Sequence, residues 1–361
     1  MTPSARFLRA LSPLLTMFLL VAPAGCLPVP PECRSPDVIC VGLVTDTNGL
    51  QDYGLNEQAW QVLEQLRQDD IVVDVIESID MRDYDKNVAY FGGQGYDLVF
   101  TSGYGLVETT RTMAEKYPNV SFVMLGEAPD EKDAPPNLAG VIFPEEQAGF
   151  WAGALAAHFS EMRIVGGVFA NFEIPSVGAY ARGFESGAQG VDAQVISYDY
   201  GSFEASLGDP EWGARQAEFL EDLGADVLFA YGGSTGTSAL EQARGRVIGV
   251  EVDFARRFPS MQNRLIASIV FDLSILKEIV YAGKVSQPTY EATYQVIWGN
   301  IPAPEVLASP ERLPLDDADL TEDGAFEEGG DPVVEGDGED VDSQDDEPEE
   351  EDTGNEEDGD E

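Results

Sequence analysis

The stretch VGLVTDTNGLQDYGLNEQAW, residues 41–60, sets the fold. An apolar run, Val41 to Val44, stops at a cluster of short polar residues: Thr45, Asp46, Thr47, Asn48, Gly49, Gln51 and Asp52. From Leu55 apolar residues return at helical spacing, with Ala59, Trp60, Leu63 and Leu66. Buried strand, polar turn and amphipathic helix together form the repeating unit of an open α/β sheet. The turn admits two roles. Its side chains can cap the helix and shape the backbone. They also sit at the carboxyl end of a strand, where open α/β sheets bind ligands.

The unit recurs along the chain. The pattern of β-branched runs predicts strands at 38–44, 71–76, 98–101, 121–125, 140–143, 164–169, 193–198, 227–231, 247–250 and 265–270. Helices are expected between them at 55–68, 84–92, 106–116, 146–159, 175–187, 210–223, 235–243 and 272–282. So many strands exceed one small sheet, and two α/β lobes are the natural division. A last run, TYQVIWGNIPAPEV, is expected to add an edge strand before Pro302 and Pro304. Several strands end in Gly and hydroxyl residues, as in Ser102-Gly103-Tyr104 and Gly232-Gly233-Ser234-Thr235. Such turns allow close backbone approach and leave helix N–H groups free for oxygen atoms.

The net charge of −47 is unevenly spread, since residues 313–361 hold 25 of the 67 acids and no Lys or Arg. That acidic tail is too poor in apolar residues to fold and is expected to be disordered. The remaining body is still acidic, which argues against a nucleic-acid polymer as partner, because phosphate binding needs clustered bases. Arg6 and Arg9 followed by the short apolar run 11–24 read as an export signal over 1–25. The run ends in small residues before Cys26, a lipobox-like arrangement with Pro23 where Leu is usual. Acylated Cys26 would anchor a bacterial lipoprotein to one membrane leaflet through a Pro-rich linker, 26–37, with plain secretion as the alternative. Cys33 and Cys40 are then candidates for a disulfide, or Cys40 is simply a small buried strand residue.

No catalytic constellation stands out. His158 is the sole histidine, at a predicted helix end where a cation suits the dipole. A Cys–His pair and a P-loop are lacking, and three cysteines with one histidine give no metal spacing. The expectation is a binder without cofactor or metal.

Five blocks in order carry a family resemblance: VGLVTDTNGLQDYGLNEQAW, DLVFTSGYG with AEKYPNVSFVML, GVIFPEEQAGFWAGALAA, IPSVGAYARGFESGA and GADVLFAYGGSTGTSALEQA. Residues 38–297 resemble the basic membrane lipoprotein (Bmp/Med) family, substrate-binding lipoproteins of ABC transporters that include purine nucleoside receptors. The resemblance implies a type I periplasmic-binding fold, with two doubly wound α/β lobes, hinge crossovers and a ligand cleft between them. The lobes are expected at 38–144 plus 251–300 and at 145–250. It also implies an ABC permease as partner and a nucleoside-like ligand, held by an aromatic sandwich with acids and a lysine on its polar edges.

Carried onto this sequence, the implied ligand-binding positions begin with Asp46, Thr47, Asn48, Asp52 and Asn56 in the first turn. Ser102 and Tyr104 follow the third strand, and Gly233, Thr235, Glu251 and Asp253 follow later ones. Phe203 falls at one stacking position. Departures are equally specific: Tyr53 stands for a lysine, Leu55 for the second stacking ring, Gly126 for an acid, Glu251 for an aspartate and Phe271 for a lysine. Those departures leave room for a second reading, a binding-protein fold that acts as a sensor or surface-interaction lipoprotein without transport.

Overall fold

A computed structural model describes Cys33 and residues 35–130 and 132–301. The expected export signal, Cys26 and the acidic tail lie outside the described residues. The first half alternates β1 (Ile39–Thr45), α1 (Leu55–Glu64), β2 (Ile71–Glu77), α2 (Tyr84–Gln94), β3 (Leu98–Ser102), α3 (Val107–Lys116), β4 (Ser121–Leu125) and β5 (Leu138–Ile142). The chain continues through α4 (Glu145–Phe159), β6 (Ile164–Phe169), α5 (Pro175–Gln189), β7 (Gln194–Asp199), α6 (Pro210–Asp222) and β8 (Val227–Tyr231). It closes with α7 (Gly233–Gln242), β9 (Arg246–Val250), α8 (Phe254–Arg257), β10 (Leu265–Asp272), α9 (Ile275–Ala282), β11 (Thr289–Glu291) and β12 (Thr293–Trp298).

Two six-stranded sheets result, in the orders β11-β5-β4-β3-β1-β2 and β12-β10-β9-β8-β6-β7. Every pairing between these strands is parallel except β10 with β12. Strand β1 shows why. Its residues from Cys40 to Thr45 are all buried, as expected of a strand covered on both faces by helices. The carboxyl ends of β1, β3, β4 and β5 therefore point the same way, and so do those of β6, β8 and β9 in the second sheet.

The structure corrects the expected allotment of 251–300. Strands β10 and β12 pair in the second sheet, not the first. Only α9, packed on α1, and β11, paired to β5, return to the first. The chain thus crosses between sheets at β5–α4, β10–α9 and β11–β12. Phe143, Phe271 and Tyr294, one from each crossing region, form a ring cluster with centroids 4.2 Å (Phe143–Phe271), 5.5 Å (Phe271–Tyr294) and 6.2 Å (Phe143–Tyr294) apart. Helix α1 stops at Glu64 rather than continuing to 68. Gln68 and Ile71 exchange backbone hydrogen bonds of 3.1 and 3.2 Å, a tight turn that launches β2 instead.

Helices α4 and α5 approach unusually closely, because each carries two glycines four residues apart on the shared face. A Cβ built on Gly153 would lie 2.0 Å from the Phe184 carbonyl oxygen, and one on Gly183 would lie 2.0 Å from the Glu146 carbonyl oxygen. Gly149 and Gly187 make equivalent contacts one turn away, at 2.3 and 2.1 Å.

Cys33 and Cys40 are joined by a disulfide across a sequence separation of 7, tying the segment before β1 to its buried start. Loop-closure entropy for so short a ring amounts to roughly 2 kcal/mol. Reduction should therefore lower the unfolding free energy by about 2 kcal/mol. Urea denaturation with and without reductant checks this, and coincident midpoints would count against it.

Candidate ligand-binding site

A cavity of roughly 600 Å³ lies between the two sheets, at the carboxyl ends of their strands. The first sheet contributes Asp46 after β1, Ser102 at the end of β3 and Tyr104 beyond it, Gly126 and Glu127 after β4, and Phe143 and Glu145 after β5. Tyr231, Glu251 and Phe271 come from the ends of β8, β9 and β10. Asn48, Asp52, Tyr53, Leu55 and Asn56 complete the wall from the first turn and the start of α1.

The polar turn is built by its own side chains. Asp46 accepts from the Asn48 N–H at 3.0 Å, from Asn48 Nδ2 at 2.8 Å and from Asn56 Nδ2 at 2.8 Å. Asn56 is buried and also donates to the Gly49 carbonyl at 3.0 Å. Asp52 caps α1, accepting from the N–H groups of Gly54, Asn56 and Glu57 at 2.9, 3.0 and 3.1 Å. A carboxylate at a helix N-terminus satisfies orphan donors and complements the dipole. The two roles read in the sequence coincide here, since the capping residues also line the cavity.

The start of α1 is tied to the second sheet. Gln58 Nε2 donates to the Glu251 carbonyl at 3.2 Å, and the Asp253 N–H donates to the Tyr53 carbonyl at 3.0 Å. Arg256 pairs with Glu57 at 2.8 Å and holds its guanidinium 5.1 Å over the Tyr53 ring. Arg257 Nη1 donates to the Asp52 carbonyl at 3.3 Å. Tyr53 and Glu251 both adopt left-handed backbone, φ 57° and 65°, a conformation non-glycine residues seldom take. Such outliers concentrate where surrounding structure holds a site in place.

Glu251 is the chemical centre of the second wall. Its Oε1 accepts from the hydroxyls of Tyr231 at 2.9 Å and Tyr180 at 3.1 Å, and the Tyr180 hydroxyl also hydrogen-bonds that of Tyr294 at 2.7 Å. Burial pushes the Glu251 carboxyl up to about 7; the two tyrosine hydrogen bonds oppose this, and the Glu145 charge adds to it. Glu145 and Glu127 are likewise raised, both chiefly by burial, and Glu145 also feels the Glu127 charge. Burial, then the Glu251 charge, raises the hydroxyl pKa values of Tyr180 and Tyr231, so both stay neutral donors.

Some expected site residues lie elsewhere. Phe203 sits in the loop between β7 and α6, 62% exposed and off the cavity wall. Thr235 is fully buried in the first turn of α7, where its hydroxyl accepts from the Asp209 N–H at 2.9 Å. Asp253 caps α8 by accepting from the Arg256 N–H, and Thr47 is exposed at the turn's outer edge. Gly233 lines an adjoining cavity that shares Asn48, Tyr231, Glu251 and Arg257 with the first. Phe271 reaches the wall while packed on Phe143. Sequence reasoning missed Glu145, Tyr231 and Phe143, although the strand-end rule alone would have placed all three. Tyr180 and Tyr294 carry no local signal, and only the fold brings them to Glu251.

Two α/β sheets with mostly parallel strands and a polar cleft at their facing strand ends define a type I periplasmic-binding-protein fold. An ABC transporter solute-binding protein from Conexibacter woesei has this architecture, with a TM-score of 0.59 at 22% identity over 73% of this chain and 89% of that one. Residues 39–299 match the Bmp family, ABC transporter substrate-binding proteins of the PnrA-like kind, and the chain belongs to that family. The ABC transporter nucleoside-binding protein BmpA of Lactococcus lactis is 24% identical over 229 residues, 59% of this chain. The matched region spans 63% of that relative's length. Basic membrane protein A1 of Borrelia garinii is 23% identical over 266 residues, 72% of this chain and 76% of that protein.

Proposed function

We propose that the chain is an exported, lipid-anchored substrate-binding protein that captures a small polar ligand by closure of two lobes and delivers it to an ABC permease. One observation carries the reading: hydrogen-bonding side chains from both sheets converge on a single cavity of roughly 600 Å³. That volume suits a ligand the size of a nucleoside. The nucleoside-binding relative in Lactococcus lactis supports a purine nucleoside as the first ligand to test. A ligand that touches both sheets favours the closed arrangement by its differential affinity for it. Cys26, preceded by small residues and an apolar run, supports the lipid anchor.

Titration calorimetry with nucleosides, nucleobases, amines, sugars and amino acids should find a saturable ligand at one site per chain. Small-angle scattering should then show a smaller radius of gyration in its presence. No saturable heat from any member would sink the reading. For the anchor, globomycin-sensitive maturation and labelling with an alkyne fatty acid would be lost in a Cys26→Ala variant.

A further inference from the structure

The acids of the cleft divide into two groups. Asp46 and Asp52 spend their oxygens on the first turn and the start of α1, as shown by six hydrogen bonds within that segment. Glu127, Glu145 and Glu251 do not. Among the described residues, the Glu127 carboxylate has no hydrogen-bond partner, that of Glu145 has only its own backbone N–H, and that of Glu251 is held only by neutral tyrosine hydroxyls. None of the three forms an ion pair with a Lys or Arg among the described residues. Arg257 is the one basic residue on the wall, and its guanidinium is turned to the Asp52 carbonyl and to the Phe258 ring, 5.4 Å from its centroid.

These carboxylates stand beside aromatic faces. A Cβ at Gly126 would lie 3.8 Å from the Phe143 ring, so the turn that carries Glu127 runs along that ring. Phe143 packs on Phe271, Phe271 on Tyr294, and Tyr294 joins the hydroxyl chain that ends on Glu251. Carboxylates without an ion-pair partner, in a partly desolvated pocket whose wall includes Phe143 and Phe271, attract one chemical class above others. A cation gains from each carboxylate and from the quadrupole of the rings. Anionic ligands such as nucleotides are repelled by the same set.

We infer that the ligand of this cleft carries a positively charged nitrogen, seated against Glu127, Glu145 and Glu251 and bordered by Phe143 and Phe271. The inference rests on the small-ligand reading above and specifies its chemistry. A nucleoside-sized molecule with a protonated amine, an amidine or a quaternary nitrogen satisfies both. The charged site is the ligand's counterpart to the unpaired acids, so removing one acid weakens the cation and leaves a neutral ligand almost untouched.

The test compares cationic probes (agmatine, choline and thiamine) with neutral ones (adenosine and inosine) and with AMP, by calorimetry on the purified chain. At least one cation should bind tenfold or more tightly than either neutral nucleoside, and AMP should be weakest. Glu145→Gln and Glu127→Gln should each weaken that cation about tenfold, with thermal unfolding showing that both variants remain folded. Cation affinity should also rise as pH increases through about 7, where Glu251 ionises. The groups facing Glu251 are Tyr180 of α5, Tyr231 of β8, Tyr294 of β12 and Glu145 of α4, and the tyrosines stay neutral over that range. Neutral nucleosides binding as tightly as the cations, with no response to Glu145→Gln, would overturn the inference and leave the transport reading standing. Binding of no probe and no member of the wider panel would remove both.

Discussion

Gly183→Ala and Gly153→Ala are each expected to destabilise the protein by about 3 kcal/mol, the upper part of the range for overpacked cores. Helix propensity alone argues the reverse, because alanine in a helix interior is favoured over glycine by about 1 kcal/mol. Packing decides the sign. The added Cβ would stand 2.0 Å from a backbone carbonyl oxygen of the facing helix, Glu146 for Gly183 and Phe184 for Gly153. No rotamer relieves that contact, so α4 and α5 must move apart along their whole shared face. At roughly 2–4 °C per kcal/mol for a domain of this size, thermal unfolding should fall by about 6–12 °C. Gly190→Ala at the end of α5 is the control, since its φ is −60° and the nearest atom to its Cβ position is 3.4 Å away. Its transition should stay within a degree or two of the parent. Equal transitions for Gly183→Ala and Gly190→Ala would contradict the close approach.

Glu251→Gln should change the pH dependence of stability. The folded-state carboxyl titrates near 7 against an ordinary value of 4.5, so the folded protein holds this proton more tightly than the unfolded chain does. Its stabilising contribution is fully present below about 4.5 and is lost as pH rises through about 7. Each tenfold gain in proton affinity on folding is equivalent to about 1.4 kcal/mol, and the open cavity beside the side chain reduces that figure. A neutral amide keeps the donors from Tyr180 and Tyr231 partnered and abolishes the slope. We expect the variant to be more stable than the parent by about 1–2 kcal/mol at pH 8 and equal to it at pH 4.5. Urea denaturation across that range is the measurement, and parallel curves for the two proteins would refute the linkage. Ligand affinity should move oppositely, falling about tenfold in the variant, as expected where a strained, partly desolvated residue serves binding rather than stability.

Much of the fold was legible because parallel strands buried on both faces announce themselves as apolar runs. Strand β4 and strand β8 fall at the expected residues, and β12 takes the expected edge position. The membership of the late strands was not legible. β10 is an apolar run like any other, and nothing in LIASIVFD distinguishes pairing with β9 from pairing in the first sheet. Four-residue α8 is too short to show a helical period. In the site, residues that follow a strand directly were readable from the strand-end rule. Phe203 and Thr235, which the family resemblance set at the ligand, lie off the wall of the first cavity, one in an exposed loop and the other inside the first turn of α7.

By itself the sequence determined the alternation of strand and helix, the membership of the Bmp family and the polar identity of the first turn. Those properties are local, written in hydrophobic period, capping chemistry and short blocks. Tertiary structure decided which acids of the cleft are free. Asp46 and Asp52 look no different from Glu127, Glu145 and Glu251 in a sequence, yet the former are consumed by neighbours within ten residues and the latter are left facing a shared cavity. Whether a carboxylate is paired depends on what lies across space from it. For Glu251 that is Tyr180, 71 residues away in the chain, together with Tyr231 and an acid from the other side of the crossover.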